Sequence, residues 1–207
     1  MHAAKTTEQT VATPRFAILG SGRGSNAESL MRAFKSGFIP ARLVLVASDK
    51  TNAPILDKAR AHGVTTAVVE RGTRTRDEHE AELLRTLRHH DAQHLLLAGY
   101  MRLLSGEFLQ RFSGRVLNIH PSLLPDFPGL HAVERQWQQG VKVAGATVHL
   151  VDEGVDTGPP LLSGSIEVRG DEGPDGLAQR ILLEVEHVIY PRAVLLLCQR
   201  LRDERTA

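Results

Sequence analysis

The 207-residue chain predicts an α/β fold, an open and mainly parallel twisted sheet with helices on both faces. Three observations carry that expectation. Short apolar runs alternate with helically spaced segments through the first half of the chain, the pattern of right-handed βαβ crossovers. The first run ends in a glycine-rich turn that opens a helix. The fifth ends in a polar pair, Asn118 and His120, at the strand terminus where such sheets hold their ligands.

Arg15-Phe16-Ala17-Ile18-Leu19 reads as the first strand, and Gly20-Ser21-Gly22-Arg23-Gly24-Ser25-Asn26 as the turn after it. Ala27 to Lys35 then has helical spacing, with Leu30, Met31 and Phe34 apolar. Ala41 to Ala47 is an apolar strand, Ala53 to His62 a helix stopped by Gly63, and Thr65 to Val69 a third strand. Thr75 to Arg88 places Leu83, Leu84 and Leu87 on one helical face. His94 to Ala98 is the fourth strand, and Ser105 can cap a short helix reaching Phe112.

Val116 to His120 is the fifth strand. A helix from Ala132 to Gln139, a weakly alternating strand from Val143 to Val151 that carries His149, and a strand from Leu161 to Val168 follow. Pro174 suits the first turn of a helical tail, with Asp171 as its cap and an interruption at Pro191. Residues 1–14, without periodicity, read as a flexible N-terminal tail, and residues 15–207 as a single domain.

Alternate strand residues share a face, so Asn118 and His120 point the same way, and Pro121 and Pro125 stiffen the loop beyond them. Asp156 lies downstream, between Gly154 and Gly158. An amide donor, an imidazole and a carboxylate are the parts needed to stabilise an oxyanion and move a proton. The ordinary alternative is a hydrogen-bonded core histidine beside a turn-forming asparagine. It leaves unexplained the apolar strand before the pair, the proline-braced loop after it and the carboxylate between glycines.

Gly24, Ser25 and Asn26 suit a phosphate monoester, since glycine lets an anion approach the free N–H groups of a helix start. A dinucleotide fingerprint beginning at Gly20 would need its third glycine where Ser25 stands, and no lysine follows as in a P-loop. Ten histidines invite a metal reading, but His89 and His90 are adjacent, His79-Glu80 has no second histidine four residues after the first, and no metal is expected. No Gly-x-Ser-x-Gly elbow is present, and the single cysteine, Cys198, lies in an apolar run, so direct transfer fits better than an acyl-enzyme. Arg76, Glu184, Glu186 and His187 read from sequence alone as solvated helix surface.

With 25 basic and 24 acidic residues, bulk charge gives no reason to expect a nucleic-acid or membrane-surface partner. No apolar run approaches the roughly 20 residues of a membrane span, and no secretory signal is legible. A cytoplasmic location is expected.

The segments Ser21 to Asn26, Leu97 to Ser105, Asn118 to Pro125 and Asp152 to Pro159 together resemble the phosphoribosylglycinamide formyltransferases, the folate-dependent enzymes of purine synthesis. The resemblance covers about Phe16 to Arg192. It implies the Rossmann-like formyltransferase fold and attack by the amine of glycinamide ribonucleotide on the formyl carbon of 10-formyltetrahydrofolate, a co-substrate, without metal or covalent intermediate. It further implies that His120 is the catalytic histidine, that Asn118 steadies the formyl oxygen, and that Asp156 pairs with the histidine and assists proton transfer.

By the same resemblance Gly24, Ser25 and Asn26 hold the ribonucleotide phosphate, and Leu183, Glu184, Val185 and Glu186 reach its glycinamide end. Arg76, Met101, Arg102, Leu103, Leu104, Asn118 and the run Asp152, Glu153, Gly154, Val155, Asp156 line the folate pocket, with Arg76 near the glutamate tail. His149 matches a histidine near the family's site and is assigned no chemical step. The two small-molecule substrates are the expected partners, the state monomer or homodimer.

Length is expected to exclude methionyl-tRNA formyltransferase, with its RNA-binding domain, and formyltetrahydrofolate hydrolase, with its regulatory domain. A sugar-amine N-formyltransferase remains, although the Gly24-Ser25-Asn26 turn favours a phosphoribosyl substrate. From another class, an NAD-binding oxidoreductase or a non-catalytic nucleotide-binding module explains the glycine turn but not Asn118, His120 and Asp156 together.

Overall fold

The computed structural model describes residues 13–206, so the expected N-terminal tail lies almost wholly outside the described residues. Seven strands form one sheet: β1 Arg15–Leu19, β2 Arg42–Ser48, β3 Thr66–Val68, β4 His94–Leu97, β5 Val116–His120, β6 Val143–Leu150 and β7 Pro160–Glu167. Their order is β3-β2-β1-β4-β5-β6-β7. The first five are parallel, while β6 runs antiparallel to β5 and β7 antiparallel to β6.

The helices are α1 Ser25–Lys35, α2 Pro54–Ala61, α3 Arg76–His89, α4 Gly106–Arg111, α5 Ala132–Gln138, α6 Gly173–Arg180 and α7 His187–Thr206, with a π-helical stretch, Ile181–Glu186, joining the last two. Strand alternation divides the apolar residues between two cores. Phe16 and Ile18 of β1 and Leu96 of β4 pack under α1 and α7 with Leu30, Met31, Tyr190 and Val194. Ala17, Leu19, Leu95 and Leu97 point the other way, onto Leu83, Leu84 and Leu87 of α3 and Phe108 of α4. Covering both faces explains why these strands read as unbroken apolar runs.

Connections from β1 lead to β2 and β3 on one side, and β4 starts the other side, so the strand order reverses between β1 and β4. Open sheets bind ligands in the crevice beyond the carboxyl ends at that point. The two turns leaving it are stitched together: Ser21 N–H donates to the Gly99 carbonyl at 3.0 Å, and Ser21 Oγ accepts from Met101 N–H at 3.0 Å. Ser105 caps α4 as expected, accepting from Phe108 N–H at 3.0 Å.

Four sequence expectations are revised. The first helix begins at Ser25, so Ser25 and Asn26 lie inside its first turn. The N-cap of α6 is Glu172 rather than Asp171, and its carboxylate makes no capping bond, pairing instead with Arg180 at 3.0 Å. β6 is buried from Ala144 to His149, because it is an interior strand and its weak alternation has no solvent face to report. The tail is not interrupted at Pro191, which lies inside α7. Proline removes the N–H that would reach the His187 carbonyl, and Ser29 Oγ of α1 donates to that carbonyl at 2.9 Å instead. Cys198 is buried in the core, where burial pushes its thiol up to about 11, as a structural thiol should be.

Candidate active site

Asn118 and His120 end β5 on the same side, and a single carboxylate reaches both. Asp156 Oδ2 lies 3.1 Å from His120 Nδ1, and Asp156 Oδ1 accepts from the Asn118 amide at 3.3 Å. Backbone geometry presents that carboxylate. Asp156 has φ 55°, a left-handed conformation that aspartate tolerates better than most residues. Its loop is closed by Asp152, whose Oδ1 accepts from Gly154 N–H at 3.0 Å and from the Thr157 hydroxyl at 2.7 Å.

His120 is buried, and both of its ring nitrogens face acceptors. Nε2–H donates to the Phe127 carbonyl at 2.8 Å, while Nδ1 faces the carboxylate. A carbonyl can only accept, so both contacts are hydrogen bonds when the ring carries two protons. The proline-braced loop also supports Asp156, through Gly129 N–H to Oδ2 at 2.8 Å.

A second histidine belongs to the cluster. The antiparallel register sets His149 of β6 opposite Asn118, and its Nε2 lies 3.2 Å from the Asn118 amide nitrogen and 3.4 Å from Asp156 Oδ1. Its Nδ1–H donates to the Leu150 carbonyl at 2.9 Å, which fixes the ring. Burial raises the Asp156 pKa, but the bonds from His149 and Gly129 and the charges of His120 and His149 outweigh it. The carboxyl is held below its ordinary value.

The glycine turn lies along the same sheet edge. Gly24 has φ 70°, and a Cβ there would come within 2.7 Å of Ile55 Cβ, so α2 closes against bare backbone. We expect Gly24→Ala to lower the melting temperature, by about 5 °C for a loss of roughly 1 to 2 kcal/mol. A scanning-calorimetry trace matching that of the unsubstituted chain would contradict it.

Asn26 Nδ2 donates to Glu186 Oε2 at 2.5 Å, although the residues are 160 apart in sequence. Glu186 is buried, not the solvated residue its helical position implied by itself. Burial raises its pKa, only partly offset by the Asn26 bond. Unfolding therefore releases a proton as pH rises above the ordinary value of 4.5, and stability falls through that window. Glu186→Gln should then melt higher than the unsubstituted chain at neutral pH, with the gap closing below the ordinary value; equal melting at both ends would contradict this.

Glu184 pairs with Arg180 at 3.2 Å, Val185 is in the core, and Leu183 is half exposed.

On the other side of the crevice, a cavity of about 250 Å³ is lined by Arg71, by Arg76, His79 and Glu80 of α3, and by Tyr100, Arg102, Leu103 and Leu104. Arg76 donates to the Leu103 carbonyl at 3.1 Å and pairs with Glu80 at 3.2 Å. Buried Glu80 also accepts from Ser105 N–H at 2.9 Å and from its hydroxyl, which ties α3 to the 101–105 segment. Arg102 pairs with buried Asp49 at 2.7 Å. Met101 and Leu103 stay exposed at the rim. Glu153 lies against Gly106, and Val155 approaches Gly129, so the Asp152–Asp156 loop spans from this segment to the loop over His120.

Sequence reasoning had no signal for Glu80, Asp49, the Phe127 carbonyl or the Gly129 N–H. The contact between His149 and Asn118 needed the β5–β6 register. Among the described residues, no three His, Cys, Asp or Glu side chains are grouped to hold a metal ion, and no helix is long and apolar enough to cross a membrane.

A family model described as formyl transferase matches residues 14–194. A phosphoribosylglycinamide formyltransferase of Bacillus subtilis is 39% identical over 181 residues, covering 87% of this chain and 92% of the relative. Among solved structures, glycinamide ribonucleotide transformylase 1 of Symbiobacterium toebii superposes with a TM-score of 0.87 at 41% identity, covering 90% of this chain and 88% of the other. The phosphoribosylglycinamide formyltransferase of Brucella melitensis gives 0.85 at 44%, covering 90% and 96%. Matched along most of its length in sequence and in fold, the chain belongs to the formyl transferase family.

Proposed function

We propose that this chain transfers the formyl group of 10-formyltetrahydrofolate to the glycinamide amine of N1-(5-phospho-D-ribosyl)glycinamide, a step of purine synthesis. The observation that carries the reading is the meeting of Asn118, His120 and Asp156 at the end of β5, on the sheet edge that also presents the Gly24 turn. The phosphate sits at the start of α1, with Gly24, Ser25 and Asn26 supplying donors. The folate enters past Met101 to Leu104, between them and the Asp152–Asp156 loop.

The amine attacks the formyl carbon, and the carbonyl π pair moves onto oxygen. His120 and Asn118 donate to that oxyanion. Each first gives up a resting partner: the Phe127 carbonyl at 2.8 Å for the imidazole, Asp156 Oδ1 at 3.3 Å for the amide. Asp156, 3.1 Å from Nδ1, keeps the imidazole oriented while the charge develops. The attacking nitrogen loses a proton and N10 of the folate gains one; the oxyanion pair then re-forms the carbonyl as the carbon–N10 bond breaks with its electrons on N10, releasing tetrahydrofolate. His149, beside Asn118 and Asp156, holds both in place and is assigned no chemical step.

The test is tetrahydrofolate release followed by absorbance, with glycinamide ribonucleotide present, omitted, or replaced by a nucleotide-linked amino sugar. Release that depends on the ribonucleotide supports the reading. Release without any amine would mark a hydrolase, and release with the amino sugar alone would move the chain to sugar-amine formylation.

A further inference from the structure

We propose that the amino-terminal edge of the sheet, at the far end from the crevice, carries a second anion site in which Arg15 and Arg42 clamp a small oxyanion of the phosphate class. The inference does not depend on the formyl-transfer reading.

Arg15 opens β1 and Arg42 opens β2, and the two strands are parallel, so both residues lie at the end of the sheet remote from Asn118 and His120. The register sets Arg15 directly beside Arg42, and both line one cavity of about 310 Å³. Like charges held in register repel, which costs stability unless an opposite charge lies between them. Among the described residues none does. Arg42 makes no ion pair or side-chain hydrogen bond within them, and Arg15 uses only Nε, donating to the Asp91 carbonyl at 2.9 Å. Asp91 is the one acid lining the cavity, and its carboxylate pairs with neither guanidinium. Elsewhere in the fold arginines of partly buried positions do find carboxylates, as Arg102 finds Asp49 and Arg180 finds Glu172.

The ordinary use of arginines here would be to serve the carboxyl ends of α2 and α3, whose partial negative charge faces this edge. Those ends are largely closed by their own chain. The Lys58, Ala59 and Arg60 carbonyls accept from the N–H groups of His62, Val64 and Gly63, and the Thr86, Leu87 and Arg88 carbonyls from those of His90, Ala92 and Asp91. The whole Arg42 fork and the terminal nitrogens of Arg15 are thus left for a ligand. Thr65 and His90 line the same cavity and add a hydroxyl and a ring nitrogen. Two forks one strand spacing apart, about 4.8 Å, suit a tetrahedral dianion, which offers oxygens to both at once, whereas one carboxylate fills a single fork. A phosphate or phosphate monoester has that shape and charge.

The test follows backbone-amide and arginine Nε–H NMR signals of the full chain as inorganic phosphate or ribose 5-phosphate is added at low salt. The expected result is a set of shifts at Arg15, Arg42, Gly63, Thr65 and Asp91 that saturates in the millimolar range, titrates separately from any at Ser25 and Asn26, and weakens as salt is raised. The tighter ligand of the two identifies the source, a monoester or the free ion. Arg42→Gln should weaken this set about tenfold and leave the Ser25 and Asn26 shifts as they are, whereas Arg42→Lys, which keeps the charge without the fork, should weaken it less. Shifts confined to Ser25 and Asn26 in the unsubstituted chain, or shifts at the second set that Arg42→Gln leaves unchanged, overturn the proposal.

Discussion

His120→Ala is expected to lower kcat/KM for formyl transfer by on the order of a thousandfold, because it removes an oxyanion donor that Asp156 holds in place. His120 also supports the fold. It is buried, and its two ring nitrogens face the Phe127 carbonyl and Asp156. Leaving two half-buried acceptors without that donor costs about 1 to 3 kcal/mol each at most. The variant should therefore melt several degrees lower, in contrast to what a position at an exposed strand edge would imply. His120→Asn, which returns a donor of smaller reach, should recover part of the stability without recovering the rate. Turnover within about tenfold of the unsubstituted chain in either variant would remove His120 from the chemistry.

Asp156→Asn should lower turnover by on the order of a hundred- to a thousandfold through a different failure. Asp156 Oδ2 serves His120 and Gly129 N–H, while Oδ1 serves Asn118 and His149. An amide has one oxygen, so whichever way it turns, one of those sides meets an NH2 group. The substitution also tests the pH dependence of stability. The Asp156 pKa is held below its ordinary value of 3.8, so the unfolded chain binds the proton first as pH falls. Its contribution to stability is complete above that ordinary value and is lost as pH drops through the depressed folded value. The melting difference between the unsubstituted chain and Asp156→Asn should be largest near neutrality and shrink in acid. A difference that stays constant with pH would mean that the carboxylate is not held as described.

The parts of the site that sequence made legible are those set by strand polarity. Parallel alternation places the ends of β1, β4 and β5 on one edge, so Gly24, Met101, Asn118 and His120 could be assigned to one crevice from periodicity alone. The carboxylate motif around Asp156 was legible as chemistry, but its position over His120 was not, since it depends on a left-handed backbone at Asp156 and on the Asp152 side chain closing the loop.

What stayed hidden was set by long-range pairing. Glu186 looks like solvated helix surface in sequence, yet the π-helical stretch turns it inward to Asn26 while Glu184 faces Arg180. Pro191 signals a break under local rules, and only the Ser29 hydroxyl of another helix supplies the His187 carbonyl with a donor. His149 reads as one histidine in an apolar strand until β6 is registered antiparallel against β5, which brings it opposite Asn118. Arg76 likewise reads as surface, and its tether to the Leu103 carbonyl depends on how α3 packs beside the 101–105 segment.

The most direct test of the account follows the formyl carbon itself. The chain is supplied with 10-formyltetrahydrofolate labelled with carbon-13 in the formyl group and with glycinamide ribonucleotide, and the label is tracked by NMR. The account predicts a single new signal, that of a formamide carbon on the glycinamide, forming as fast as tetrahydrofolate appears and nearly absent in His120→Ala. Label appearing as free formate, or remaining on the folate in the presence of the amine, would contradict it.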